Sequence, residues 1–436
     1  MTNSIIYPVL DVNGSLKLPS SKPHIQRCLL LAFFNVNATE ITNISWCTET
    51  SLLLDNLVVL GLKILEKNDD KITLQGIFPK QITPNSEVDA KGSGFVFRAM
   101  LSISALTDTL TIKCDLSLYS RESVLDKDFL AFLGVNVIKS DNELKFITNR
   151  TAVTTNKISV EKSSQFLSIA MMLSVYIPHY EIKIIGKNTG EGYIALTSDM
   201  LGQFGYQCKK IDNIYSIKKT DNRSVHVQIP TDFTSLGYIM SLLSVMKKTS
   251  FVQIENYVAG NTHNEIYLRE LFETLGVKQK TDNNMLFLES NRKFLKQVPL
   301  KSSLLELPSL ATLIMSCSVF THKIVQLTNI EHINNHKCQR IFVINENLRL
   351  LGLNTKFNFD KSGRFDGLHI QSNLELLGNV RLKSYRDHRV CAGNIVISVG
   401  CDSPNIVEDV DTLADGFPSF LEVITHIGIH SKPVLN

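Results

Sequence analysis

The run Leu57-Val-Val-Leu60-Gly61-Leu-Lys-Ile-Leu65 decides the fold. A helical apolar pattern ends in an apolar–glycine pair and gives way to a strand-like stretch. Glycine just past a helix accepts the left-handed conformation that turns the chain back. The same junction recurs at Leu133-Gly134, Phe204-Gly205, Leu275-Gly276, Leu351-Gly352 and Ile427-Gly428, with glycine spacings of 73, 71, 71, 76 and 76. Six helix C-caps at a period of about 72 residues imply six copies of one supersecondary unit.

A second landmark keeps the same step. Polar clusters open apolar helices at Lys22, Gly94, Ser164, Ser235, Ser309 and His388, spaced 72, 70, 71, 74 and 79 apart. Between the landmarks lie β-rich runs such as Thr109–Lys113, Glu181–Ile185, Val225–Ile229 and Phe251–Ile254, so each unit mixes strands with two helices and the class is α/β or α+β. Leu29–Phe34, Phe166–Val175, Leu236–Val245 and Leu310–Val319 have almost no polar face, which suits central helices covered on all sides. Asp126–Leu133 and Asn345–Leu351 carry charge and are expected outside them. Six central helices make two groups of three.

Composition narrows the function. At 436 residues the chain needs more than one core, and 44% hydrophobic with 20% charged residues is the make-up of a globular protein. Forty-five Lys and Arg against 42 Asp and Glu leave +3, too little for a nucleic-acid face. The start Met-Thr-Asn-Ser-Ile-Ile-Tyr-Pro is not a secretion signal, no stretch is long and apolar enough to span a membrane, and eight scattered cysteines without a C-x-x-C pair read as reduced thiols. A cytoplasmic monomer acting on small anionic molecules is expected, with no nucleic acid or membrane as partner.

Cations sit where they are disfavoured. A helix start carries roughly half a positive charge, so adding a cation there costs about 0.3–1 kcal/mol. Lys22 and Arg27 lie in the first turns of one such helix, Arg98 in another, and His388-Arg389 open the last. One case reads as an exposed cap; several in register point to an anionic ligand. Gly92-Ser-Gly94 resembles a phosphate-cradling turn, and Ser163-Ser164-Gln165 offers two hydroxyls and an amide to phosphate or carboxylate oxygens, although each alone is commonly a capping device. His332 and His336, with Cys338 nearby, have the spacing of a helical metal pair but lack an identifiable third ligand, and no metal is expected.

The order Leu18-Pro-Ser-Ser21-Lys22-Pro-His-Ile-Gln-Arg27, Gly94-x-x-x-Arg98, Ser120-Arg121, Ser163-Ser-Gln-Phe166, Tyr193, Arg340, Tyr385-x-Asp387-His-Arg389 and Phe417-Pro418 resembles the 5-enolpyruvylshikimate-3-phosphate synthase (EPSP synthase) family of enolpyruvyl transferases, from about residue 10 to 425. The resemblance implies a two-domain inverse α/β barrel of six βαβαββ repeats, three per domain. It places residues 1–20 with 232–436 in one domain and 21–231 in the other, with a substrate cleft between them. It implies transfer of the enolpyruvyl group of phosphoenolpyruvate to the 5-hydroxyl of shikimate 3-phosphate, a step of aromatic amino acid biosynthesis that needs no cofactor. Lys22, Gly94, Arg98, Arg121, Arg340 and Arg389 match the donor site. Ser21, Arg27, Ser163, Ser164, Gln165, Tyr193, Ser309 and His336 fall at the acceptor site.

The departures bear on catalysis. Where the family carries an Ile-Pro-Asp carboxylate, this chain has Leu307-Pro308-Ser309, and where it carries Lys-Glu-x-x-Arg this chain has His336-Lys337-Cys-Gln-Arg340. Pro23 replaces a serine, Gly92-Ser-Gly94-Phe95 replaces Asn-Ala-Gly-Thr, and Asp415 replaces a late lysine. With both acid/base carboxylates gone, Lys22, His336 and His388 are the candidates for proton transfer. The alternatives are a member repurposed for another acceptor or anionic metabolite, and a non-catalytic ligand-binding homologue.

Overall fold

The computed structural model describes residues 2–120, 124–140, 143–161, 163–176, 180–186, 190–260, 262–295, 298–305, 307–334, 338–361, 363–417 and 419–434. All six glycines that mark the repeat are left-handed, with φ of 115° at Gly61, 64° at Gly134, 81° at Gly205, 86° at Gly276, 83° at Gly352 and 94° at Gly428. Each follows an outer helix: Thr48–Val59, Lys127–Leu133, Glu191–Gln203, His263–Thr274, Arg340–Leu350 and Phe420–Thr425.

The six apolar helices are numbered here α1 (Lys22–Phe33), α2 (Gly94–Ser104), α3 (Ser164–Leu173), α4 (Phe233–Ser244), α5 (Ala311–Ser318) and α6 (His388–Gly400). Every residue of α4 and α5 is buried, and α1 is buried from His24 onward. Several hydroxyls inside them bond the helix's own carbonyls, as Ser102 does to Ala99, Ser241 to Gly237 and Ser398 to Asn394, so burial leaves those three satisfied. Gly237 and Gly393 let α4, α5 and α6 approach closely. A Cβ at either would lie 2.8 Å from Leu310 Cδ2 or Ser316 Oγ, respectively.

The chain forms two compact units, Met1–Pro19 with Thr231–Asn436, and Ser20–Pro230. Each has its own core, and each holds three four-stranded sheets. In every sheet two parallel strands are followed by two antiparallel ones, the order a βαβαββ unit gives when its last hairpin folds back beside the second strand. The sheet containing Thr109–Lys113 is assembled from neighbours in sequence.

Two other sheets correct the picture of six contiguous repeats. Strand Asn13–Leu16 pairs in parallel with Ser250–Ile254, while Val225–Gln228 pairs in parallel with Ala38–Thr42. Two repeats have thus exchanged the chain leading from first strand to central helix. Hydrogen bonds close both breaks: Ser21 N donates to Pro230 O (2.8 Å), and Asp232 N donates to Pro19 O (2.9 Å). In a third sheet, Ser4–Ile6 fits between Asn405–Val407 and Ser431–Pro433. All eight cysteines are free thiols, and five of them are buried. Among the described residues no helix is long and apolar enough to cross a membrane.

Candidate active site

In the Ser20–Pro230 unit, all three central helices begin at a serine N-cap and none has an acidic residue in its first turn. Ser93 Oγ accepts from Val96 N (3.4 Å), and Ser163 Oγ accepts from Gln165 N (3.2 Å). A serine cap satisfies a donor without cancelling the helix end's positive charge. At α1 the Ser21 hydroxyl instead meets His24 Nδ1 at 2.8 Å. Burial, helped by nearby Arg27, pulls His24 down to about 3, so its ring is neutral at physiological pH. Lys22 lies 3.4 Å from the Glu49 carboxylate, and both side chains are about one-third exposed (31% and 38%).

Arg98, one turn into α2, donates to Gly94 O (3.0 Å) and Gln165 Oε1 (2.8 Å), and its guanidinium stacks 4.6 Å above the Phe166 ring. The start of α2 and the start of α3 are thereby joined: Gly94, Arg98 and Gln165 form one cationic cluster. Ser164, at the first position of α3, lies against Gly190, where any Cβ would collide with its side chain.

Arg27 differs from the other cations. It is buried, and it donates to Thr197 Oγ1 (2.8 Å), Pro23 O (3.0 Å), Ser168 Oγ (3.2 Å) and Tyr193 O (3.3 Å). Its guanidinium also lies 5.9 Å from the Phe95 and Tyr193 rings. Burial lowers it to about 10, still protonated at neutral pH. Arg27 thus fixes α1, α3 and the helix bearing Tyr193 with respect to one another.

In the other unit, aspartates cap α4 and α6, whereas α5 starts at Leu310 without a side-chain cap. Asp232 Oδ1 accepts from Ser235 N (2.8 Å) and Oγ (3.0 Å) at the start of α4. At α6, Asp387 Oδ1 accepts from Arg389 N (2.9 Å) and Val390 N (3.2 Å), while Oδ2 takes Arg340 Nε (2.9 Å). Both side chains of that ion pair are nearly inaccessible, at 9% for Arg340 and 0% for Asp387. Just before it, Tyr385 and Arg386 are left-handed, with φ of 48° and 56°, a conformation costing bulky residues roughly 1–2 kcal/mol each. Asp409 Oδ2 holds this turn by accepting from Arg386 N (2.9 Å). His388 packs against Gly416, and the Arg389 guanidinium lies 6.0 Å from the ring of buried Tyr238.

Ser309 sits in the turn Pro308–Leu310 that leads into α5. Its hydroxyl is buried and has no hydrogen-bond partner among the described residues. Arg121, His336 and Lys337 lie outside the described residues. His332 is on a 3₁₀ turn, Glu331–Asn334, rather than an α-helix, and among the described residues no three His, Cys, Asp or Glu side chains cluster as metal ligands. Sequence reasoning missed Glu49, the double bond of Asp387 to cap and Arg340, and the buried neutral His24. A cap aspartate directly before two basic residues was the available signal for Asp387.

The protein-family model for EPSP synthase (3-phosphoshikimate 1-carboxyvinyltransferase) matches residues 6–424. The chain belongs to this family. Membership makes it a transferase of the enolpyruvyl class. It is 24% identical over 428 residues to a 3-phosphoshikimate 1-carboxyvinyltransferase of Methanocaldococcus jannaschii, covering 96% of each chain. It is 23% identical to one of Oceanobacillus iheyensis, covering 96% of this chain and 97% of the other. In fold it resembles EPSP synthase from Acinetobacter baumannii, with a TM-score of 0.76 at 16% identity and full coverage of both chains. It also resembles the enolpyruvyl transferase NikO from Streptomyces tendae, with a TM-score of 0.72 at 11% identity and 99% coverage of each.

Proposed function

We propose that the protein transfers the carboxyvinyl group of phosphoenolpyruvate to the 5-hydroxyl of shikimate 3-phosphate. The acceptor oxygen adds to C2 of phosphoenolpyruvate while C3 gains a proton. The resulting tetrahedral adduct then loses inorganic phosphate and a C3 proton to leave the enol ether. Both substrates bring a phosphate and a carboxylate, so the reaction needs fixed cations and donors more than a chemical cofactor.

The observation that carries this reading is the run of serine-capped helix starts with Lys22, Arg98 and Gln165 and no first-turn acid, in a chain of this family. Lys22, Gly94 and Arg98, together with Arg121, Arg340 and Arg389, are assigned to the donor. Ser21, Ser163, Ser164, Gln165, Tyr193 and Ser309 are assigned to the acceptor, with Arg27 acting by holding Tyr193 in place. The Ser309 hydroxyl, without a partner among the described residues, suits a hydrogen bond to an acceptor hydroxyl, but serine is a poor base at neutral pH. Proton transfer is assigned to Lys22 and His388, with His336 as a further candidate from the matched segment.

The test is phosphate release from phosphoenolpyruvate with shikimate 3-phosphate, beside a panel of other hydroxylated acids, with the enol ether identified by NMR. Turnover with shikimate 3-phosphate is expected. Turnover only with another acid would replace the acceptor, and donor binding without turnover across the panel would overturn the transferase reading.

A further inference from the structure

Inside the Ser20–Pro230 unit, at the ends of α2 and α3 away from their cationic starts, lies a cavity of about 410 Å³. Leu106, Phe132, Leu133, Ala170 and Leu173 supply apolar wall, and Arg150 stands at its exposed rim. Close-packed interiors leave few voids larger than one water. Water filling it, on the order of a dozen molecules at roughly 30 Å³ each, reaches solvent at the rim but meets mainly apolar wall within. Among the described lining side chains, two of the polar groups are already committed. Ser174 Oγ already donates to Met171 O (2.5 Å), and Tyr176 OH to Ile77 O (2.7 Å).

The rim is built rather than loose. Beyond Arg150, Thr151 N donates to Gly134 O (2.7 Å) and Thr154 N to Ala131 O (3.1 Å), tying the segment to the end of helix Lys127–Leu133. The backbone of Arg150 bonds to Asp108 O (3.2 Å), yet its guanidinium has no hydrogen bond or ion pair among the described residues. A guanidinium beside an apolar hollow matches a carboxylate carried on an apolar body, which it can hold through two parallel hydrogen bonds. Three helices, α2, α3 and Lys127–Leu133, end at this cavity, and their partial negative ends oppose a doubly charged phosphate more than a single carboxylate.

We propose that this cavity is a binding site for a small amphipathic carboxylate. The apolar body lies among Leu106, Phe132 and Leu173, and the carboxylate lies on Arg150. The site is separate from the cationic starts, because Ala170, the nearest lining residue of α3, stands six residues or about 9 Å along the axis from Ser164, and Leu173 about 14 Å.

The probe is 4-phenylbutyrate, titrated calorimetrically into the full chain saturated with phosphoenolpyruvate, with its neutral amide and inorganic phosphate as comparators. One saturable carboxylate site per chain is expected, with the amide and phosphate at least tenfold weaker. Arg150→Gln should weaken binding at least tenfold without changing turnover, since Arg150 is exposed and outside the proposed substrate site. Leu106→Trp, which fills the hollow, should also remove binding. Absence of saturable binding, indifference to Arg150→Gln, displacement by phosphoenolpyruvate, or phosphate binding as tightly as the carboxylate would each overturn the proposal.

Discussion

Serine stands at the N-caps of α1, α2 and α3, whereas aspartate stands at those of α4 and α6. Both residue types cap well, but they leave opposite electrostatics. A serine cap leaves the helix end positive, and Lys22 and Arg98 add to that field. An aspartate cap cancels it, and at α6 the same carboxylate also neutralises Arg340. The two units therefore use one helix geometry for two purposes. One leaves its helix starts positive, the feature on which the proposed anion site rests, and the other converts a helix start into a rigid mount for an arginine.

The comparison predicts different costs for removing the cap. Asp387→Ala leaves Arg340 buried beside an uncapped helix, and urea titration should show a loss of about 3–5 kcal/mol. Ser93→Ala removes only a neutral cap and should lose about 1 kcal/mol in the same measurement. Equal losses would mean that the Asp387 pair contributes nothing beyond capping.

The next expected effect is on chemistry. Arg98→Met keeps much of the side chain's length but deletes the charge that joins the starts of α2 and α3. Phosphate release under kcat/KM conditions should fall by about 100-fold. A change of less than about threefold would remove Arg98 from the proposed site.

The effect of His24 is graded with pH. The folded ring is held down to about 3 by burial and Arg27, while an unfolded histidine takes up a proton near 6.5. His24's contribution is therefore fully present above pH about 6.5 and is lost as pH falls towards about 3, at about 1.4 kcal/mol per pH unit within that window. His24→Gln should flatten that part of the stability curve. An unchanged slope would mean that His24 does not produce it.

Local signals in the sequence carried much of this architecture. The six left-handed glycines and the strand Thr109–Lys113 were legible because helix ends and strand periodicity are short-range properties. The exchange of first strands was not legible locally, because nothing local tells Asn13–Leu16 to pair with Ser250–Ile254 rather than with a nearer segment; only the family resemblance, which joined residues 1–20 to 232–436, pointed to it. At the site, residue types pointed to cations at helix starts, but the bond between Arg98 and Gln165, which were expected at separate subsites, was not legible. The internal commitment of Arg27 did not, since its partners Ser168, Tyr193 and Thr197 are set by helix packing. Arg150 carried no motif at all; its interest lies in the hollow beside it.

The most direct test of the cap comparison is the calorimetric affinity for shikimate 3-phosphate of two opposite swaps, Ser163→Asp at α3 and Asp232→Ser at α4. The account predicts that Ser163→Asp weakens binding by about tenfold or more, because a carboxylate then occupies the positive helix end, about 1.4 kcal/mol or more in binding free energy. Asp232→Ser should leave the affinity within about twofold, a shift of roughly 0.4 kcal/mol. Full affinity in Ser163→Asp, or an equal loss in both variants, would contradict it.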